Sequence, residues 1–177
     1  MGGMNSLRHC LLAVTLSLAT PALADWPEFS IGGHISPESY PGMKLAWRDE
    51  FSGNALNTRT WSHETGTGRQ GWENNELQHY RPENTQVRDG FLVITAQSGE
   101  HQGSAFTSSR IVTRSRQEFR YGRIDVRALL PEGQGIWPAV RMLGASMPER
   151  VWPVAGEIDI VEMVGGEGRE NTVHGTL

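Results

Sequence analysis

The sequence predicts an all-β sandwich or jelly roll. Short strand-like runs recur along the chain with turn-prone residues between them. The 21 glycines and 9 prolines among 177 residues supply those turns. Beyond the first 24 residues we find no helical periodicity and no internal repeat. The length fits one domain with a sizeable core.

Composition narrows the class of partner. The chain is 37% hydrophobic and 20% charged, which is typical of a globular protein. Its net charge of −4, without a cluster of lysines and arginines, argues against a nucleic-acid partner.

The first 24 residues have the pattern of a secretory signal peptide. Arg8 and His9 precede the apolar run 10–19, and Ala22-Leu23-Ala24 is a small-x-small cleavage site. The run is too short to span a membrane, so we expect a secreted, periplasmic or extracellular protein with no membrane association after processing. The single cysteine, Cys10, lies in this segment, so the mature protein is expected to have no disulfide.

The remaining chain divides into an irregular lead-in over 25–44, rich in proline and glycine, and a domain over 45–177. Asp89-Gly90 between two apolar runs indicates a β-hairpin. Residues 122–130 alternate apolar with charged side chains, as in a half-solvated antiparallel strand. The predicted strands cover residues 45–51, 85–88, 91–96, 109–113, 122–130, 136–143 and 156–164.

The last of these strands is unusual because it places three carboxylates, Glu157, Asp159 and Glu162, in an otherwise apolar run. Burying an unpaired carboxylate is costly, so acids there need a partner or a task. Alternation puts Glu157 and Asp159 on one face of the strand. Glu162 joins them only if a one-residue β-bulge lies at about 160–161, and bulges favour positions next to active sites.

Three acids on one face suit glycoside hydrolysis. Two glutamates leaning toward each other across Asp159 can approach the ~5–5.5 Å separation of a retaining glycosidase. One would attack the anomeric carbon while the other protonates the departing oxygen. A calcium cluster, which a stiff strand serves poorly, and a solvated strand face stay open as alternatives on spacing alone.

Aromatic and polar residues outside this strand suggest a glycan ligand. Trp61, Trp72, Trp137 and Trp152 could stack on sugar rings, although any single tryptophan is more often core. Trp137 and Trp152 are set apart by the turn residues beside them. The polar stretch 72–80 and Arg110 suit ligand binding, with turn roles and a surface ion pair as the alternatives. His174 is, on spacing alone, more often structural.

Together these motifs resemble glycoside hydrolase family 16, in its bulged, laminarinase-like branch. The resemblance starts at about residue 45 and is carried by the order of the motifs as well as by the acid triplet. The motifs are Trp47-Arg48-Asp49-Glu50-Phe51-Ser52-Gly53, Asn74-Asn75-Glu76-Leu77-Gln78-His79-Tyr80, 87–96, 107–111, Tyr121-Gly122-Arg123, 130–139, Trp152-Pro153 and Glu157-Ile158-Asp159-Ile160-Val161-Glu162.

The resemblance implies a concanavalin A-like jelly roll of two curved antiparallel sheets and a monomer that acts on a polysaccharide. It implies Glu157 as nucleophile, Asp159 as its helper and Glu162 as acid/base. It implies no cofactor for catalysis and a structural calcium site drawing on Glu50 and Gly90. The residues implied to bind sugars are Asn75, Arg110, Trp137 and Trp152.

Two departures from the family pattern affect these expectations. Where the family usually has tryptophan, this chain has Arg141, whose parity with Trp137 points it toward the substrate side. A cation there makes a sulfated or acidic galactan an alternative substrate. The family domain also continues for several strands after Gly175-Thr176, so we expect a domain truncated at its C-terminus. His174 precedes that pair, whereas the histidine implicated in the family follows it.

The leading hypothesis is a secreted retaining endo-acting hydrolase of β-1,3 or mixed 1,3-1,4 glucans. The alternatives are a hydrolase of another polysaccharide, such as agarose or carrageenan, and a glucan-binding protein without activity. Family members of the latter type usually lack one or both glutamates. A third hypothesis is an inactive fragment that does not fold alone.

Overall fold

The computed structural model describes residues 37–166, 168–169 and 172–177. These residues form ten short strands, one π-helical turn at Gly71–Asn75 and one 3-10 turn at Pro82–Asn84, with no α-helix among them. The all-β prediction is confirmed. The strands are β1 Ser62–Glu64, β2 Gln78–Tyr80, β3 Thr85–Arg88, β4 Phe91–Ile94, β5 Gln97–His101, β6 Ser104–Ser108, β7 Arg110–Val112, β8 Ala139–Leu143, β9 Glu157–Glu162 and β10 His174–Thr176.

The hairpin predicted at Asp89-Gly90 is confirmed. Strands β3 and β4 pair antiparallel, with Arg88 opposite Phe91 and two residues left for the turn. Asp89 and Gly90 both have positive φ, 54° and 79°. This is the backbone that a two-residue type I′ turn requires, and it matches the twist of the strands it joins.

The strand with the three acids lies in the middle of a three-stranded antiparallel sheet, in the order β10-β9-β8. Hydrogen bonds continue the β8–β9 pairing beyond the strand ends, from Gly165 N to Ile136 O at 2.7 Å and from Met163 N to Pro138 O at 3.2 Å. A central position fixes the backbone on both sides, so this sheet is a rigid support for side chains on its faces.

The other strands form three small sheets, β2-β6-β5, β1-β7 and β3-β4. Strands β2 and β6 pair in parallel, which departs from the expected purely antiparallel arrangement. The sequence did not predict β1, β2, β5 or β6, because these runs are short and polar and carry no period-2 apolar pattern.

The strands predicted at 45–51 and 122–130 are wrong. Neither segment pairs with another strand in the described part of the chain, and a strand needs a ladder partner for its backbone groups. Side chains hold the first segment instead, with the Trp47 ring 5.8 Å from that of Trp61 and Trp61 Nε1 donating to Asp49 Oδ2 at 2.9 Å. In the second, Tyr40 donates to Asp125 Oδ2 at 2.5 Å.

The interior between the small sheets is largely polar. Asn84, only 2% exposed, donates through Nδ2 to Thr95 O at 2.6 Å and to Thr107 Oγ1 at 3.1 Å. Thr85 Oγ1 likewise donates to Ser109 Oγ at 2.5 Å. Because buried polar groups are costly unless they are paired, these contacts fix how the β3–β4 hairpin meets β6 and β7.

The predicted signal peptide (1–24) and the first part of the lead-in lie outside the described residues. Residues 37–44 form no helix or strand. Within the described ranges, no helix is long and apolar enough to cross a membrane.

Candidate active site

The predicted β-bulge is present in β9 and brings the three acids to one face. Against β8, Asp159 is opposite Arg141 but Val161 is opposite Val140, so one residue of β9, Ile160, has no partner there. Against β10, the register also shifts between Asp159 and Glu162. The extra residue restores Glu162 to the face of Glu157 and Asp159, because directly opposed residues in a sheet share a face.

Arg141 lies on this same face and contacts one of the acids. Its Nη1 donates to Glu157 Oε1 at 3.2 Å, and the two side chains are 27% and 20% exposed. Arg141 is directly opposite Asp159, whereas Glu157 is opposite Leu143. The guanidinium therefore reaches diagonally along the strand to Glu157.

Asp159, between the two glutamates, has an unsatisfied oxygen. Its Oδ1 is buried and finds no hydrogen-bond partner among the described residues. A buried carboxylate oxygen without a partner is costly, so this one is suited to accept a proton from a neighbouring acid or a hydrogen bond from a ligand.

A second cluster surrounds Arg110. Its Nε is 2.7 Å from Glu64 Oε2, and its guanidinium lies over the ring of Trp72, 4.7 Å from the centroid. Glu64 and Arg110 are directly opposite each other on β1 and β7. An arginine held between a carboxylate and an aromatic face presents its remaining N–H groups in fixed directions, as recognition of sugar hydroxyls requires.

A carboxylate organises the polar stretch next to this cluster. Glu76 Oε2 accepts from Gln78 Nε2 at 2.6 Å and from the Tyr80 hydroxyl at 2.7 Å. Burial, followed by this hydrogen bond, raises the pKa of Tyr80 well above its ordinary value. Tyr80 also packs 5.8 Å from Trp72, which links the stretch to the Arg110 cluster. Asn75 ends the π-helical turn with a φ of 57° and is exposed.

The two tryptophans predicted to bind sugars are both open to solvent. Trp137 is 48% exposed and precedes β8 by two residues, and Trp152 is 63% exposed in the turn before β9. Trp137 has the parity of Ala139 and Arg141, so the strand direction places it on the face of the acids. Exposed rings beside a row of carboxylates suit stacking on a sugar chain.

Residues 58–177 match the family described as Glycosyl hydrolases family 16. This chain belongs to that family. It is 40% identical over 158 residues to the beta-glucanase of Rhodothermus marinus, covering 84% of this chain and 52% of that protein. It is 38% identical over 160 residues to glucan endo-1,3-beta-glucosidase A1 of Niallia circulans, covering 82% of this chain and 23% of that protein.

Among solved structures, the laminarinase catalytic domain from Thermotoga maritima MSB8 superposes with a TM-score of 0.68 at 42% sequence identity. The match covers 75% of this chain and 55% of that one. Like the family match, this supports the predicted jelly-roll fold. The chain spans about half the length or less of these three relatives.

The calcium site expected from the family resemblance stays a prediction. Glu50 is exposed in an irregular segment, and Gly90 is exposed at the tip of the β3–β4 hairpin. Across residues 37–166, 168–169 and 172–177, no group of three or more histidine, aspartate or glutamate side chains is placed to hold a metal ion. Gly90 could contribute only its carbonyl oxygen, so the site would depend on backbone ligands.

Strand pairing brings two further residues, Glu64 and His174, next to the residues predicted from the sequence. Glu64, which anchors Arg110, lies in a three-residue strand that the sequence does not reveal. His174 is the cross-strand neighbour of Glu162 and therefore shares its face, although it is exposed. Their positions follow only from the pairing of β1 with β7 and of β9 with β10, which the sequence alone does not show.

Proposed function

We propose that this chain carries the catalytic residues of a secreted endo-acting β-glucanase that cleaves β-1,3 or mixed β-1,3-1,4 glucans with retention of configuration. The observation that carries the proposal is the bulged strand β9, which places Glu157, Asp159 and Glu162 on one face of a central strand. Relatives named as a beta-glucanase and as a glucan endo-1,3-beta-glucosidase support the substrate class.

The reaction would proceed by double displacement. In the first step a carboxylate oxygen of Glu157 bonds to the anomeric carbon, the glycosidic bond breaks, and the proton of Glu162 passes to the departing oxygen. In the second step Glu162 takes a proton from water, and the water oxygen displaces Glu157 from the anomeric carbon. That proton restores the acid form of Glu162, and both carboxyl groups are back in their starting states.

Asp159 would support the first step. It lies two positions from Glu157 on the same face, and its buried Oδ1 is free to share a proton or hydrogen bond with a neighbouring carboxyl group. A proton held between the two groups in the glycosyl-enzyme would help the Glu157 carboxylate to leave in the second step.

The substrate would extend over the aromatic side chains near the acids. Trp137 and Trp152 would stack on sugar rings, while Arg110, fixed by Glu64, would donate to hydroxyl groups. A neutral glucan suits these side chains. The positive charge of Arg110 is already paired with Glu64, so the substrate need not supply an anionic group.

The test is substitution of the two glutamates in the intact protein. Glu157→Gln and Glu162→Gln each keep the side-chain shape but remove the reactive oxygen or proton. We expect both to lower release of oligosaccharides from laminarin by at least about 1,000-fold, because each group takes part in the bond-making or proton-transfer steps. The matched control is Glu132→Gln, an exposed glutamate in the turn before β8, which should keep wild-type activity.

Added azide separates the two roles. With Glu157→Ala, azide should restore turnover and give a glycosyl azide of inverted configuration, because azide attacks in place of the lost nucleophile. With Glu162→Ala and an activated aryl glycoside, the product should be the glycosyl azide of retained configuration. Substantial activity in Glu157→Gln would refute these assignments, and so would azide products whose configurations are exchanged between the two variants.

Binding of laminarin without any cleavage by the wild type would favour a non-catalytic glucan-binding protein.

A further inference from the structure

We propose that Arg141 is a positioning residue for the nucleophile Glu157, and that it does not serve as a cation for an acidic substrate. The inference rests on the proposed glucanase function and concerns the side chain that acts on the attacking group.

The guanidinium of Arg141 reaches past the acid that it stands opposite. Arg141 stands directly opposite Asp159, so Asp159 is its nearest acid by backbone register. Its Nη1 nevertheless bonds to Glu157 Oε1 at 3.2 Å, one diagonal step along β9, while Asp159 Oδ1 has no partner in the described chain. Diagonal neighbours are about 7–8 Å apart at the backbone, a gap that the long arginine side chain can span.

The contact with Arg141 holds one oxygen of Glu157 and leaves the other available to a substrate. A glutamate side chain has several rotamers, and only some of them direct an oxygen at the anomeric carbon. A hydrogen bond from a planar guanidinium to Oε1 fixes the orientation of the carboxylate plane. Oε2 accepts no hydrogen bond in the described part of the structure, so it is the oxygen that the geometry assigns to attack.

Arg141 also places a positive charge on the face that carries the three acids. Glu157, Asp159 and Glu162 share one face, and their mutual repulsion would push the flexible glutamates apart. A permanent cation on the same face offsets part of this repulsion. The Arg141 and Glu157 side chains are mostly buried, so water screens their attraction less than at an open surface.

The same features argue against recognition of an acidic sugar. An anionic substituent reaching Arg141 would have to compete with Glu157 for the guanidinium and would approach the carboxylates of Asp159 and Glu162. A cation intended for an incoming anion is expected to lie away from acids, whereas Arg141 is bonded to Glu157 and stands opposite Asp159.

The experiment compares Arg141→Gln, Arg141→Lys and the wild type in the intact protein, with kcat and KM measured on laminari-oligosaccharides. We expect Arg141→Gln to lower kcat by about 10- to 100-fold with KM changed less than about twofold, since misplacement of a reacting group costs that much in rate. Arg141→Lys keeps the charge without the planar fork and should recover part of kcat. The control is Arg123→Gln, which removes an exposed arginine–carboxylate pair of 2.8 Å outside the site and should leave both constants unchanged.

A double-mutant cycle with Glu157→Asp tests whether Arg141 acts through Glu157. The shorter carboxylate moves away from the guanidinium, so Arg141→Gln should cost far less in that background than in the wild type. If Arg141→Gln folds poorly, the lysine variant takes its place in both halves of the cycle. Additive effects or a wild-type kcat in Arg141→Gln would overturn the inference. A rise in KM that appears only when sulfated or carboxylated glucans replace laminari-oligosaccharides in the same assay would also overturn it. A wild type inactive on every β-glucan would instead refute the proposed function.

Discussion

Tyr80, in the polar stretch 72–80, makes the stability of the fold depend on pH. Burial, then its hydrogen bond to Glu76, raises the pKa of Tyr80 in the folded protein. The unfolded chain binds fewer protons than the folded one once the pH exceeds the ordinary tyrosine value of about 10. The free energy of unfolding should therefore fall as the pH rises above about 10.

In Tyr80→Phe this alkaline loss should be smaller, because the group that titrates only in the unfolded chain is gone. The measurement is urea unfolding of the intact protein at pH 7, 9, 10.5 and 11.5. Tyr121→Phe, at a tyrosine that is 87% exposed, is the matched control and should lose stability as the wild type does. Equal alkaline losses in Tyr80→Phe and the wild type would contradict the prediction.

Residues also differ in how far the sequence reveals their roles. Asp89-Gly90 and the acids of β9 are predictable because the cause is local: positive φ in a two-residue turn, and carboxylates among β-branched residues. The partnership of Glu64 with Arg110 is not predictable, since it depends on the register of strands 46 positions apart at this pair. The Arg141–Glu157 contact is likewise not predictable from sequence, because the register alone puts Arg141 opposite Asp159 and not opposite Glu157.

At the scale of elements, Gly144 controls how closely β8 and β9 approach at the end of their hairpin. Its N–H donates to Gly156 O at 3.0 Å, and a Cβ at this position would lie 1.9 Å from Ala155 O. Since that oxygen belongs to the backbone, Gly144→Ala must separate the strands that carry Arg141 and Glu157. We expect a loss of about 1–3 kcal/mol in stability together with a lower kcat.

Thermal unfolding and laminarin hydrolysis of the intact protein test this. Gly53→Ala is the matched control, because the nearest atom to the added Cβ would be Ala55 O at 3.8 Å and the φ of Gly53 is ordinary for alanine. The control should keep both stability and activity. A Gly144→Ala variant as stable and active as the control would show that the hairpin end has more room than its geometry indicates.

Strand assignments from sequence succeed where an apolar, β-prone run also has a ladder partner, and they fail where either the pattern or the partner is missing. The β3–β4 hairpin and the β8–β9 pair combine β-propensity with a partner nearby in the chain. Residues 122–130 have the alternation of a strand, but a periodic pattern does not provide a ladder partner. Strand β2 shows the reverse, because its polar residues pair in parallel with β6 despite lacking the pattern.

At the scale of the whole molecule, little apolar surface is removed from water. Val87 and Met163 are the only hydrophobic residues that are buried within the described ranges. Folding must offset roughly 1–2 kcal/mol of backbone entropy per ordered residue, and apolar burial is its main source of free energy. Large apolar side chains that are more than half exposed include Met43, Leu45, Leu77, Leu129, Val151, Trp152, Val154 and Val173.

This balance predicts that the polypeptide 37–177, expressed alone, lacks a tightly packed native state. It should bind the dye ANS strongly, keep β-type far-ultraviolet circular dichroism, and melt over a broad range, because paired strands survive where specific packing is missing. The control is Asn84→Ala in the same polypeptide, which removes the central buried hydrogen bonds between the small sheets. If packing is already loose, this change should alter the melt little, whereas in a cooperatively folded protein it should lower the midpoint by several degrees. A sharp calorimetric transition, with equal calorimetric and van't Hoff enthalpies and no ANS binding, would mean that the polar network alone organises a native state.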